Sequence, residues 1–120
     1  MSQKRSNAPI FWSLFGAGGA LAALVGPVMV FITGIVTAVG IWMPQTVLSY
    51  ERALAFARHW SGKAFLLAVI SLFLWHAAHR IFHSLHDVGV HPATGCKLLC
   101  YGSALLGTIL AATALINIGF

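Results

Sequence analysis

Between Arg5 and Glu51 the chain contains no Asp, Glu, Lys or Arg, and from Ile10 to Trp42 it is almost wholly apolar. A helix needs roughly 20 predominantly apolar residues to cross the hydrocarbon core of a bilayer, so this stretch is more than long enough for one span. Two further runs follow. The residues after Lys63, AFLLAVISLFLWHAA, reach the His79-Arg80 pair, and no charged residue occurs from Leu98 to Phe120. The predicted architecture is therefore an all-α membrane protein of one domain. Its three transmembrane helices lie at about residues 15–39, 63–83 and 98–118, with an interfacial loop at 44–62 and a His-rich loop at 84–97. Composition agrees: 59% of residues are hydrophobic and 8% charged, against roughly 25% charged in a soluble globular domain. Disorder is excluded by the same hydrophobicity.

The formal charge of +5 points to nucleic acid only if the basic residues cluster, and here they are scattered along the chain. They read instead as topology signals. Lys4, Arg5, Arg80 and Lys97 fall on one side, and Arg52, Arg58 and Lys63 on the other. Lys4 and Arg5 ahead of the first span favour a cytoplasmic N-terminus and hence a periplasmic C-terminus. The first apolar run is too long for the h-region of a secretory signal, so it reads as a span.

Within the runs, small residues recur at helical spacing: Gly18, Ala22 and Gly26 in the first, and Ser103, Gly107 and Ala111 in the third. Such stripes let membrane helices approach closely. Tilt, or a kink at Gly26-Pro27, would absorb the excess length of the first span. In the first loop, VLSYERALAFARHW fits a short interfacial helix. Leu48, Ala55, Phe56 and Trp60 would gather on one side, Glu51, Arg52 and Arg58 would face water, and Ser49 would stand near its start. Cys96 and Cys100 lack the CxxC spacing of a zinc or redox pair, and read as small packing groups.

The most informative feature is histidine. Five of the six fall between His76 and His91, and His76, His79, His83 and His86 are spaced three, four and three apart, so a continuing helix lines them along one face. Ionisable groups at a membrane boundary mark an interior or water-filled site, here with Arg80 and Asp87 nearby. A b-type haem would need an imidazole from each of two helices, and the first and third spans contain none. Zinc on His79 and His83 would lack a matching constellation beyond Asp87. Rings satisfied by headgroups and backbone carbonyls are the plain alternative. A quinone headgroup site needs a greasy slot, donors such as indole, imidazole or guanidinium, and a proton route to water, and this region holds those parts. Trp12 should lie at the same membrane face, either in that site or in the interfacial aromatic belt. Gly16, Gly18 and Gly19 are not a phosphate loop, because neither a strand before them nor a Lys-Ser or Lys-Thr pair after them is present.

Three segments, PIFWSLFGAGG (9–19), LSYERALAFA (48–57) and HRIFHSLHD (79–87), carry a resemblance that runs across nearly the whole chain. It is similar to the D-subunit membrane anchors of bacterial quinol:fumarate reductases. The resemblance implies an anchor of the inner membrane, partnered by a flavoprotein, an iron-sulfur subunit and a second anchor, C, in anaerobic fumarate respiration. FAD and iron-sulfur clusters would belong to the partners, no haem is expected, and menaquinol would be oxidised at a shared site. The residues implied for that site are Trp12, Arg80 and His79, with His83 and His86 as candidates for proton transfer; this chain would hold no metal and no catalytic residue of its own. His76 and the two cysteines fall outside the motifs that match. A haem-binding anchor of a succinate dehydrogenase, or a small membrane protein without a redox role, is the alternative.

Overall fold

The computed structural model describes residues 7–90 and 94–120; Lys4, Arg5 and His91 lie outside them. Three helices long and apolar enough to cross a membrane occur among the described residues, over Ala8–Val39, Trp60–Asp87 and Thr94–Asn117, and the chain is a multi-pass membrane protein by that measure. The second long helix packs against both of the others. The long dimension of the molecule is 61 Å.

The first long segment is composite. Helix α1 (Ala8–Phe31) starts with Pro9 in its first turn, where a missing N–H costs nothing. Pro27 lies inside it and takes one amide out of the ladder. The helix continues through a π turn, Ile32–Val36, into the short α2 (Thr37–Val39). The wider turn is closed by Thr37, whose hydroxyl is 3.0 Å from both the Ile32 and Thr33 carbonyl oxygens. A π turn thus follows Pro27, starting at Ile32. The segment ends at Gly40, in the left-handed region at φ 74°.

A 3-10 turn, Gln45–Leu48, leads into α3 (Tyr50–Arg58). Glu51 in its first turn and Arg58 in its last complement the helix dipole. Ser49 stands at the N-cap but makes no side-chain cap bond. The buried residue of α3 is Ala57, while Phe56 is exposed and meets Phe65 edge-on at 6.0 Å. The reason is how near the next helix comes. His59 has extended backbone, and a Cβ on Gly62 would overlap the Phe56 carbonyl oxygen, so only small groups fit at this corner.

Helix α4 (Trp60–Asp87) is capped by His59, whose Nδ1 accepts from the Ser61 amide at 3.3 Å. Lys63, 9% exposed, donates to the Ala57 carbonyl at 2.9 Å and to the Leu115 carbonyl at 2.6 Å, and lies 4.9 Å over the Phe120 ring. A residue read as a topology charge thus ties α3 and α4 to the end of α5 (Thr94–Asn117). Helix α4 runs on to Asp87 and α5 is described from Thr94. The segment joining them is shorter than a loop over 84–97, and His83 and His86 are helical. Continuing the helix keeps the amides of residues 84–87 bonded where a loop would leave them to find partners in water.

Small residues set the helix contacts, though not all those in the two stripes. A Cβ on Gly18 would come within 2.7 Å of the Leu72 carbonyl oxygen and 2.9 Å of the His76 Cβ, and one on Gly107 within 2.9 Å of the Leu74 side chain. Gly26 meets nothing within 4 Å. Ala78 and Ala104 are buried, whereas large apolar side chains such as Leu24, Leu98 and Ile116 are exposed, as helices facing lipid or another subunit require.

Candidate functional site

Because α4 is unbroken to Asp87, its four histidines rise from one helix, and their neighbours differ. His76 turns to α1. A carbonyl only accepts, so the 3.0 Å contact of His76 Nδ1 with the Phe15 oxygen is an N–H donation. The ring lies against Gly19, where a Cβ would approach His76 Cε1 to 2.7 Å. The histidine that matched no motif therefore has a packing role between two helices.

One turn on, His79 lies between α1 and α5. Its ring stacks on Phe15 with centroids 4.0 Å apart and planes within 12°. Its Nδ1 is 2.9 Å from the Tyr101 hydroxyl oxygen, and His83 meets it at 4.3 Å with an interplanar angle of 62°. Phe82 touches His83 and Tyr101 at 5.5 and 5.7 Å between centroids, and Trp75 reaches Tyr101 at 6.2 Å. Such ring contacts each contribute about 0.5–1.5 kcal/mol beyond burial, and those with Phe15 and His83 bear on the His79 ring directly. His86 is exposed in the last turn of α4.

Trp12 and His79 come together. With Phe15, Gly16 and His76 they line a pocket of about 170 Å³, and Trp12 is 79% exposed. Arg80, adjacent to His79 and one turn beyond His76, is exposed and is not among the residues lining this pocket. Phe15 also borders a groove of about 720 Å³ between α1 and α5, floored by Trp75 and Tyr101 and edged by Thr94 and Lys97. Phe15, Trp75 and Tyr101 were not singled out by sequence reasoning. The available signal was Tyr101 itself, a phenol within an otherwise apolar run.

Among the described residues no three His, Cys, Asp or Glu side chains gather as a metal set. Cys96 and Cys100 are unbridged thiols, and Cys100 lines an apolar cavity with Leu74, Ala78 and Ala104. The arrangement is a half-open aromatic slot bordered by the Trp12 indole and the His79 imidazole, with Nδ1 of that imidazole engaged by Tyr101 and a second imidazole, His83, in ring contact with it.

A family model for the D subunit of fumarate reductase matches residues 2–116. Among curated relatives, the fumarate reductase D subunit of Vibrio cholerae is 41% identical over 115 residues, covering 96% of this chain and 85% of that protein. The Aliivibrio salmonicida protein of the same name is 38% identical over 92% of each chain. That of a Shewanella species is 42% identical over 98% of this chain and 96% of its own length.

Proposed function

The chain belongs to the family of fumarate reductase D subunits, and from that premise we propose that it is an anchor of a quinol:fumarate reductase that helps to form the menaquinol oxidation site. In this reading it holds a flavoprotein and an iron-sulfur subunit to the bacterial inner membrane beside a second anchor, C. The complex supports anaerobic fumarate respiration. The N-terminus and the pocket of Trp12 and His79 face the cytoplasm, and the C-terminus faces the periplasm. FAD and iron-sulfur clusters reside in the partners and no haem is bound.

The observation that carries this reading is the convergence of Trp12 from α1 and His79 from α4 on one pocket. Menaquinol loses two electrons, one at a time, to the iron-sulfur partner, and two protons to the cytoplasmic side. The Trp12 indole N–H and the Arg80 guanidinium orient the quinone oxygens and stabilise charge as it develops. His79, whose type titrates nearest neutral pH, takes a proton. His83, in ring contact with His79, and His86 at the exposed helix end pass it to water.

The test is the purified complex in mild detergent, assayed for fumarate reduction driven by a menaquinol analogue and, separately, by a soluble reduced dye. Trp12→Ala and Arg80→Ala should depress the quinol-driven rate at least tenfold, about what one well-placed hydrogen-bond donor contributes, and leave the dye-driven rate intact. Survival of both rates would make the chain a passive anchor. Failure of the soluble subunits to co-purify would defeat the anchor assignment itself.

A further inference from the structure

Tyr101 does not line the pocket that Trp12 borders, yet it is the polar partner of the imidazole at the site's centre. Its hydroxyl oxygen is 2.9 Å from His79 Nδ1, and its ring is held by Trp75 and Phe82 at 6.2 and 5.7 Å. The His79 ring is held in its plane by the stack on Phe15, and a half-turn within that plane would take Nδ1 away from the Tyr101 hydroxyl. We propose that Tyr101 is a positioning residue for quinol oxidation: by accepting a hydrogen bond from Nδ1–H of His79, it presents Nε2 as the base for the quinol hydroxyl. The inference rests on the menaquinol-site reading above.

The assignment follows from proton bookkeeping. To take a proton from a quinol hydroxyl, Nε2 must carry a lone pair, so the neutral ring must carry its hydrogen on Nδ1. The group facing Nδ1 must then accept, and a tyrosine hydroxyl oxygen can do so while its own hydrogen points elsewhere. As the quinol O–H bond breaks, the proton goes to Nε2 and an electron goes to the iron-sulfur partner. The Nδ1–H bond stays intact. The ring is now an imidazolium, and its bond to Tyr101 becomes charge-assisted and stronger than it was in the neutral state. An interaction that strengthens as the reaction proceeds lowers the barrier rather than merely holding the ground state. Transfer onward from Nε2 to His83 and the aqueous face returns His79 to its starting form.

The experiment is steady-state quinol oxidation by the purified complex, with the dye-driven rate counting assembled enzyme. Tyr101→Phe keeps the ring and removes the acceptor. It should lower kcat for the quinol about five- to tenfold, the effect of one lost hydrogen bond, with KM close to wild type because uniform binding is untouched. In a His79→Gln background the same substitution should cost nothing further, since residues acting as one unit are not additive. A second pair covers a packing defect: Tyr101→Gln, which restores an acceptor, should outperform Tyr101→Leu. A wild-type kcat in Tyr101→Phe, an equal loss in both backgrounds, or equal rates for the Gln and Leu variants would overturn the positioning role while leaving the site itself standing. Full quinol-driven activity in His79→Gln alone would instead remove His79 from the site, and this inference with it.

Discussion

The two ends of α4 both carry polar groups and use them in opposite ways. At its start, Lys63 is nearly enclosed, with two carbonyls and an aromatic ring around its ammonium, and His59 caps the helix it precedes. At its other end, His79 uses one nitrogen on Tyr101 and lines a pocket that Trp12 borders. The first end spends its hydrogen bonds on closing a corner, and the second keeps donors and acceptors for something outside the chain. Burial of a charge is tolerated only when it is paired and bonded, so a closed cationic corner reads as architecture and a half-satisfied aromatic slot reads as function.

That contrast breaks most severely at Gly62. A Cβ there overlaps the Phe56 carbonyl oxygen, which is backbone and cannot rotate aside. Gly62→Ala should therefore push α3 off α4 and destabilise the complex by about 3 kcal/mol, the upper range for overpacking, seen as a lower melting temperature and less complex recovered from membranes. Quinol-driven and dye-driven rates per assembled complex should stay in the wild-type ratio, because the corner lies far along α4 from the pocket. A selective loss of quinol oxidation would show that the two ends are coupled.

Lys63→Met removes the ammonium and retains most of the stem. The Ala57 and Leu115 carbonyls lose their donor, and an unsatisfied buried carbonyl costs about 1–3 kcal/mol. Thermal unfolding of the detergent-solubilised complex should report a loss of about that size, again with no selective effect on quinol turnover. Unchanged stability would mean that water or another subunit replaces the lysine, and the corner would then be open after all.

How much of this was legible differs between the ends for physical reasons. Charge-free length is a direct signature of a bilayer-crossing helix, so the three spans could be read without any contact information. The histidine spacing likewise predicted one helical face because periodicity is local. The positions of Phe15 and Tyr101 depend on how α1 and α5 dock on α4, and a phenylalanine or tyrosine in an apolar run looks the same whether it faces lipid or an imidazole. The structural role of Lys63 was hidden for a similar reason: a lone cation at a span boundary reads as a topology charge, and its enclosure by Phe120 and Leu115 is a contact across more than fifty residues of sequence. That Ala57 is the buried residue of α3, and that Gly62 meets the Phe56 backbone, are contacts between helices that the apolar pattern of α3 alone does not contain.

At the pocket end the corresponding break is Gly18→Val. The added methyls meet the Leu72 carbonyl and the His76 Cβ, so α1 must lift from α4, carrying Phe15 away from His79 and Trp12 away from the pocket. Destabilisation should be modest, about 1–2 kcal/mol, because lipid-exposed helices can shift. The quinol-driven rate should fall at least tenfold, since displacements near 1 Å are costly to catalytic alignment, while the dye-driven rate persists. Here the loss is selective, the reverse of the pattern at Gly62.

Gly26 supplies the smallest effect and the sharpest control. It shares its helix and spacing with Gly18, and from sequence the two belong to one small-residue stripe, yet only Gly18 touches α4. If packing within this chain is what glycine serves, Gly26→Ala should be neutral or slightly stabilising, by up to about 1 kcal/mol from helix propensity, in a thermal melt of the assembled complex. A clear loss of stability or of assembly would carry a different meaning: the Gly26 face would then be packed by a helix of another subunit, and the stripe would divide into an internal half at Gly18 and an external half at Gly26. The comparison of the two glycines thus separates what the fold needs for itself from what it offers to its partners.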